Sequence, residues 1–218
     1  MSILKEKDKE IVRERFAHLR GKVKLINFSQ EIDCDYCGDT RALLQDVSEL
    51  SEKISFESYN YIIDKDKVAQ FRIDKVPATV VVGEEDYGIR FYGIPAGYEF
   101  ASLLETIEMI ANNEQDLSEE TIEKIRSVSS PVKLQIFVTP TCPYCPPAVM
   151  MAHKLSMLNP MITSEMIEAT EFPELSAKFN VHGVPRVVIN ERGHFEGALP
   201  EEMFVERVLE NIREEIIH

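Results

Sequence analysis

The residues best suited to chemistry are four cysteines, and they fall into two pairs: Cys34/Cys37 and Cys142/Cys145, each a C-x-x-C. No cysteine is left over. Such pairs serve either as metal ligands or as a redox dithiol. For a dithiol, the first cysteine attacks as the thiolate and the second closes the disulfide from one helical turn away. A strand that ends in C-x-x-C and continues as a helix is expected to put the first cysteine at the helix N-terminus. There the free N–H groups and the helix dipole favour a thiolate. The competing chemistry is a structural zinc site built from both pairs. Zinc ribbons separate their pairs by roughly 15–20 residues. Here Cys34 and Cys142 are 108 residues apart.

That distance recurs. Cys37 precedes Cys145 by 108 residues, and Val76-Pro77 precedes Val184-Pro185 by 108. Each Val-Pro follows the first cysteine of its pair with the same 43-residue spacing. Three markers in register make the chain two copies of one unit, expected at 1–117 and 118–218. The polar stretch Asn112–Leu117 is the junction, and Ser118 caps the helix that follows.

The elements that must position these markers repeat as well. Lys24–Phe28 and Leu134–Val138 read as strands leading into each C-x-x-C. Leu43, Leu44, Val47 and Leu50 recur at helical spacing behind the first pair, as do Val149, Ala152, Leu155 and Leu158 behind the second. Further strands are expected over Ile54–Ile63 and Met161–Ala169. A short helix, the Val-Pro strand, a turn, a last strand and an amphipathic helix complete each copy. One more helix precedes each unit, near 5–20 and 118–128. The first copy has one extra residue before Cys34 and a longer last hairpin.

The Val-Pro elements fit a redox role. If each X-Pro bond is cis, it marks a required turn at a strand edge. An extended substrate could then pair with Val76 or Val184 as an added strand. The order strand, C-x-x-C helix, strand, helix, Val-Pro strand, strand, helix resembles the thioredoxin fold. Cys142-Pro-Tyr-Cys145 resembles the glutaredoxin active site. Two such units in one chain resemble the glutaredoxin-like protein disulfide oxidoreductases of thermophilic bacteria and archaea.

The resemblance implies an α/β fold of two tandem thioredoxin-like units, each a central mixed β-sheet flanked by helices. It implies Cys34 and Cys142 as attacking thiols, Cys37 and Cys145 as resolving thiols, and Val76-Pro77 and Val184-Pro185 as substrate-backbone contacts. Tyr36 and Tyr144, at matching motif positions, are expected to touch substrate. No bound cofactor and no metal are implied. The implied partners are protein disulfides or dithiols and a thioredoxin-reductase-like recycling enzyme. A second resemblance is to the N-terminal domain of flavin-dependent peroxiredoxin reductases, which would make the chain a dedicated electron carrier. That domain keeps one working C-x-x-C, and both are intact here. Two departures stand out. The chain has no Trp, and Phe28 and Ile136 occupy the places, six residues before the first cysteines, where thioredoxins bury a carboxylate. The sequence therefore names no proton acceptor for the resolving thiols.

Composition narrows the remaining classes. Of 218 residues, 24 are Lys or Arg and 38 are Asp or Glu, a formal net charge of −14. Both halves are acidic, which argues against nucleic acid and anionic membrane partners. No apolar run is long enough to span a bilayer. The N-terminal residues lack the apolar core of a signal peptide, so a cytoplasmic location is expected. Glu31, Asp33 and Asp35 crowd Cys34, while Pro140, Thr141, Pro143 and Tyr144 surround Cys142. His18, His153, His182, His194 and His218 show no ligand spacing and read as surface or packing residues. Met150 and Met151 read as core packing.

Overall fold

Each sequence copy supplies four β-strands with helices packed on them. The computed structural model describes residues 2–217, and side chains as far as Ile212; His218 lies outside the described residues. In the first copy the elements are α1 (Glu6–Phe16), β1 (Val23–Ser29), α2 (Cys37–Ser48), β2 (Ile54–Asn60), α3 (Lys65–Phe71), β3 (Ala78–Val82), β4 (Ile89–Tyr92) and α4 (Tyr98–Asn112). The second follows the same order with α5 (Glu119–Arg126), β5 (Val132–Val138), α6 (Cys145–Leu158), β6 (Ile162–Glu168), α7 (Pro173–Lys178), β7 (Arg186–Ile189), β8 (Gly193–Glu196) and α8 (Glu201–Ile217).

Strand order is β2-β1-β3-β4 in the first copy and β6-β5-β7-β8 in the second. β1 runs parallel to β2, with Val23 opposite Ile54 and Ser29 opposite Asn60. β5 runs parallel to β6, with Val132 opposite Ile162 and Val138 opposite Glu168. β3 and β7 are antiparallel to these central strands. A sheet covered on both faces is expected to have largely apolar central strands, and β1 and β5 bury most of their side chains. Leu25, Phe28, Leu134, Ile136 and Phe137 are all fully buried. Phe28 stacks against Tyr59 and Phe71 at 5.7 and 5.9 Å.

By its contacts the chain forms two compact units. The first takes the chain through Asp86 together with Arg90–Pro95 and Leu103–Glu114. The second takes Tyr87–Ile89, Ala96–Ser102 and the chain from Gln115 onward. The first turn of α4 thus packs with the second unit, a placement that helical periodicity does not encode.

Local signals set two of the boundaries. Ser118 caps α5 by accepting the N–H of Thr121 at 3.2 Å. Glu201 in turn accepts both the N–H and the hydroxyl of Ser118, at 2.9 and 2.7 Å. The strand expected over Ile54–Ile63 ends earlier, at Asn60. The Asn60 side-chain carbonyl accepts the N–H groups of Ile62 and Ile63 and turns the chain out of the sheet. The charged α1 is not solvated all round, because Val12 and Phe16 are buried. Arg15 there forms a two-point pair with Glu108 at 2.6 and 2.7 Å.

Candidate active site

Each C-x-x-C lies where a central strand gives way to a helix. β1 and β5 bring the chain to the C-terminal edge of the sheet, and α2 and α6 begin at Cys37 and Cys145. The residues ahead of these helices are Tyr36 and Tyr144, so the first cysteines stand in the turn before the helix. This corrects the expectation that they occupy the helix N-terminus itself. The turn is closed in the second copy by the Cys145 N–H, which donates to the Cys142 carbonyl at 3.4 Å. Pro146 and Pro147 open α6, where the first N–H groups have no helical partner to lose.

Cys34 is joined to Cys37 and Cys142 to Cys145, each pair with Cα atoms 5.5 Å apart. The second cysteine of each pair is the more buried. Cys34 is half-buried beside a 3% exposed Cys37, and Cys142 is 8% exposed beside a fully buried Cys145. The Gln30 N–H points at Cys37 Sγ, 3.4 Å away. Cys142 Sγ lies 3.6 Å from the carbonyl oxygen of Val184. The second motif and the Val-Pro element 43 residues later therefore meet at the sulfur. Both Val76-Pro77 and Val184-Pro185 bonds are cis. Pro77 and Pro185 are buried, and their carbonyls accept the N–H groups of Gly93 and Gly197, each at 2.9 Å. Tyr36 and Tyr144 are exposed by 45% and 69%, beside the sulfurs they flank in sequence.

The surroundings of the two motifs differ. Glu31, Asp33 and Asp35 are all exposed, and among the described residues no cation lies within ion-pair distance of them. The first carboxylate downstream of the second motif, Glu165, is spent elsewhere. It is buried and held by Gln135 at 3.0 Å and Lys133 at 3.1 Å. Phe28 and Ile136 are fully buried beneath the motifs.

Sequence reasoning missed several neighbours. The Tyr98 N–H donates to the Pro140 carbonyl at 3.0 Å, fixing the approach to Cys142. Glu168, 2% exposed and opposite Val138 in register, accepts the Thr170 hydroxyl and the Glu171 N–H, both at 2.7 Å. Asn60 is its counterpart 108 residues earlier, which the repeat would have flagged. Of the histidines, His153 is fully buried, with Nδ1 2.7 Å from the Ser164 hydroxyl; His18, His182 and His194 are exposed. Met150 is buried on α6 and Met151 half-buried. Among the described residues, no three His, Cys, Asp or Glu side chains converge as a metal site.

The thioredoxin domain model matches residues 132–210. The protein disulfide oxidoreductase of Aeropyrum pernix K1 superposes with a TM-score of 0.88 at 32% identity, over 95% of this chain and 94% of that one. This chain belongs to the thioredoxin-fold protein disulfide oxidoreductases. A second similar structure is the alkyl hydroperoxide reductase AhpF of Enterococcus faecalis, with TM-score 0.87 and 26% identity over 94% of this chain and 99% of that one. The corresponding alkyl hydroperoxide reductase protein of Staphylococcus epidermidis is 30% identical over 158 residues. The NADH dehydrogenase of Bacillus subtilis is 28% identical over 156 residues. This disulfide oxidoreductase matches both through 72% of its own length but spans only 28% of theirs. Among its described residues no helix is long and apolar enough to cross a membrane.

Proposed function

We propose that the chain exchanges disulfides with protein substrates at two sites, one in each of the tandem units 1–117 and 118–218. Cys34 and Cys142 attack; Cys37 and Cys145 resolve. The supporting observation is the burial order within each pair. A substrate sulfur has to reach the attacking cysteine, whereas the resolving cysteine attacks only its own neighbour and can stay buried.

In the reducing direction, the Cys34 or Cys142 thiolate attacks one sulfur of the substrate disulfide. The substrate's other sulfur leaves as a thiolate and takes a proton. Cys37 or Cys145 then attacks the first cysteine, closes the C-x-x-C disulfide and releases the second substrate thiol. Two electrons pass from dithiol to substrate, so no bound cofactor is required. Val76-Pro77 and Val184-Pro185 hold the substrate backbone, and Tyr36 and Tyr144 flank it. A thioredoxin-reductase-like enzyme returns the site to the dithiol, and the setting is the cytoplasm. The C-P-Y-C motif supports a glutaredoxin-like second site.

A second reading, a dedicated electron carrier for a peroxiredoxin-type partner, draws support from the likeness to the alkyl hydroperoxide reductase AhpF. One experiment separates the two. Cys37→Ser and Cys145→Ser are incubated with an oxidised disulfide peptide and with an oxidised peroxiredoxin. Trapping of the peptide as a mixed disulfide on Cys34 and Cys142 supports general exchange. Trapping of the peroxiredoxin alone supports the carrier, and no adduct with either sinks both.

A further inference from the structure

Beside Cys34 the first unit carries an open cleft of about 430 Å³. It lies between the loop that joins β1 to α2 and the turn that joins β2 to α3. Three isoleucines supply its apolar lining, and they stand largely in water: Ile32 at 75%, Ile62 at 59% and Ile63 at 76% exposure. Glu31 and Asp33 form its charged edge, with Gln30 and Asn60 completing the lining.

The exposure of these isoleucines is built, not incidental. The Asn60 side-chain carbonyl accepts the Ile62 and Ile63 N–H groups at 2.9 and 3.1 Å, and Asp64 accepts the Asn60 N–H at 2.6 Å. The turn is therefore pinned with both side chains outward. Leaving them in water forgoes the stabilisation that burial would give, and a grouped apolar patch marks an interaction site more often than scattered residues do. The second unit does not repeat the paired isoleucines. Its residues 108 positions later are Thr170 and Glu171, and Ile32 sits in the loop that is one residue longer in the first copy.

Charge says what the cleft accepts. Glu31 and Asp33 are exposed and, among the described residues, have no cation within ion-pair distance. Covering the cleft with an acidic or neutral segment would bring these two carboxylates into a drier setting without a counter-charge. A lysine or arginine would meet them favourably. Asp33 both lines the cleft and immediately precedes Cys34, so the cleft adjoins the attacking cysteine along the chain. The lining does not include Val76 or Pro77, so the cleft adds to the Val-Pro contact rather than duplicating it.

We propose that this cleft docks the segment beside a protein substrate's disulfide, taking an aliphatic side chain between Ile32, Ile62 and Ile63 and placing an adjacent lysine or arginine against Glu31 and Asp33. The inference rests on disulfide exchange at Cys34 as proposed above. It assigns basic, aliphatic disulfide segments to the first site and leaves the second indifferent to them.

The test uses two full-length variants, Cys142→Ser/Cys145→Ser and Cys34→Ser/Cys37→Ser, each with one site left. The probes are disulfide-linked peptides carrying Leu-Lys, Leu-Glu or Ser-Lys next to the cysteine. With only the first site working, kcat/KM for Leu-Lys exceeds that for Leu-Glu about ten-fold, equivalent to about 1.4 kcal/mol. That preference shrinks as salt is raised. Glu31→Gln/Asp33→Asn removes the Lys preference, and Ile62→Ser/Ile63→Ser removes the Leu preference over Ser. The second site alone shows neither. Equal rates for all three peptides at the first site overturn the docking inference and leave disulfide exchange standing. No turnover of any peptide by either variant overturns the exchange reading itself.

Discussion

Gly97 is seated against the carbonyl oxygen of Pro140, two residues before Cys142. Its φ of +61° is a conformation that glycine adopts readily, and the next N–H, that of Tyr98, donates to the same carbonyl. A methyl group there would overlap the carbonyl. Gly97→Ala is therefore expected to cost about 1–3 kcal/mol through strain and overpacking. It should also shift the approach to Cys142. Thermal unfolding and iodoacetamide rates on the reduced protein check this: a lower Tm with an altered Cys142 rate and an unchanged Cys34 rate is expected. An unchanged Tm would refute it.

His153 gives a pH prediction. Burial pulls its imidazole down to about 3, so it is neutral in the folded protein at any ordinary pH. Unfolding frees it to titrate near 6.5. Between those values the unfolded chain binds a proton that the folded chain does not. The stability conferred by the neutral ring is present in full above about pH 6.5 and is lost as pH falls toward 3, by up to about 1.4 kcal/mol per pH unit. Urea unfolding of the wild type and His153→Gln between pH 7 and pH 4 isolates this contribution from that of the carboxylates. The wild type should lose stability more steeply; parallel slopes would mean that His153 takes up no proton on unfolding.

The two attacking thiols should differ, though modestly. A carboxylate about 4 Å from a thiolate costs ~1 kcal/mol in water. Glu31, Asp33 and Asp35 are exposed, so salt screens them over a Debye length of about 10 Å at 0.1 M. Because Cys142 is the more buried of the two, the comparison is of alkylation rate against pH: at low ionic strength the rise for Cys142 should come at lower pH than that for Cys34, and the gap should narrow at high salt. A rise for Cys34 at the same or lower pH would show that the carboxylates do not govern its ionisation.

Asn60→Ala should loosen the turn that presents Ile62 and Ile63. It removes a side-chain acceptor from two N–H groups at solvent-facing residues, so the expected loss is about 1 kcal/mol. Hydrogen exchange should rise at 61–64 and stay unchanged in α6. Equal protection in the two proteins would mean that the turn does not depend on this side chain.

Much of the site was legible before any fold was known. The 108-residue register tied each C-x-x-C to a Val-Pro, and short apolar runs and helical periodicity placed those markers at element ends. These are local signals: a hydrophobic period reports which face an element buries. Tertiary structure decided what covers each face. It set Cys37 deeper than Cys34, and it joined Cys142 to the Val184 carbonyl. It left Glu31, Asp33 and Asp35 in water, packed residues 96–102 with the second unit, and ended β2 early enough to turn two isoleucines outward. A run such as Asn60-Tyr-Ile-Ile63 reads as strand because its apolar residues suit a sheet. The Asn60 side chain took the N–H groups of Ile62 and Ile63 instead, and the competition between side-chain and ladder acceptors is settled only when the neighbouring strand is in place.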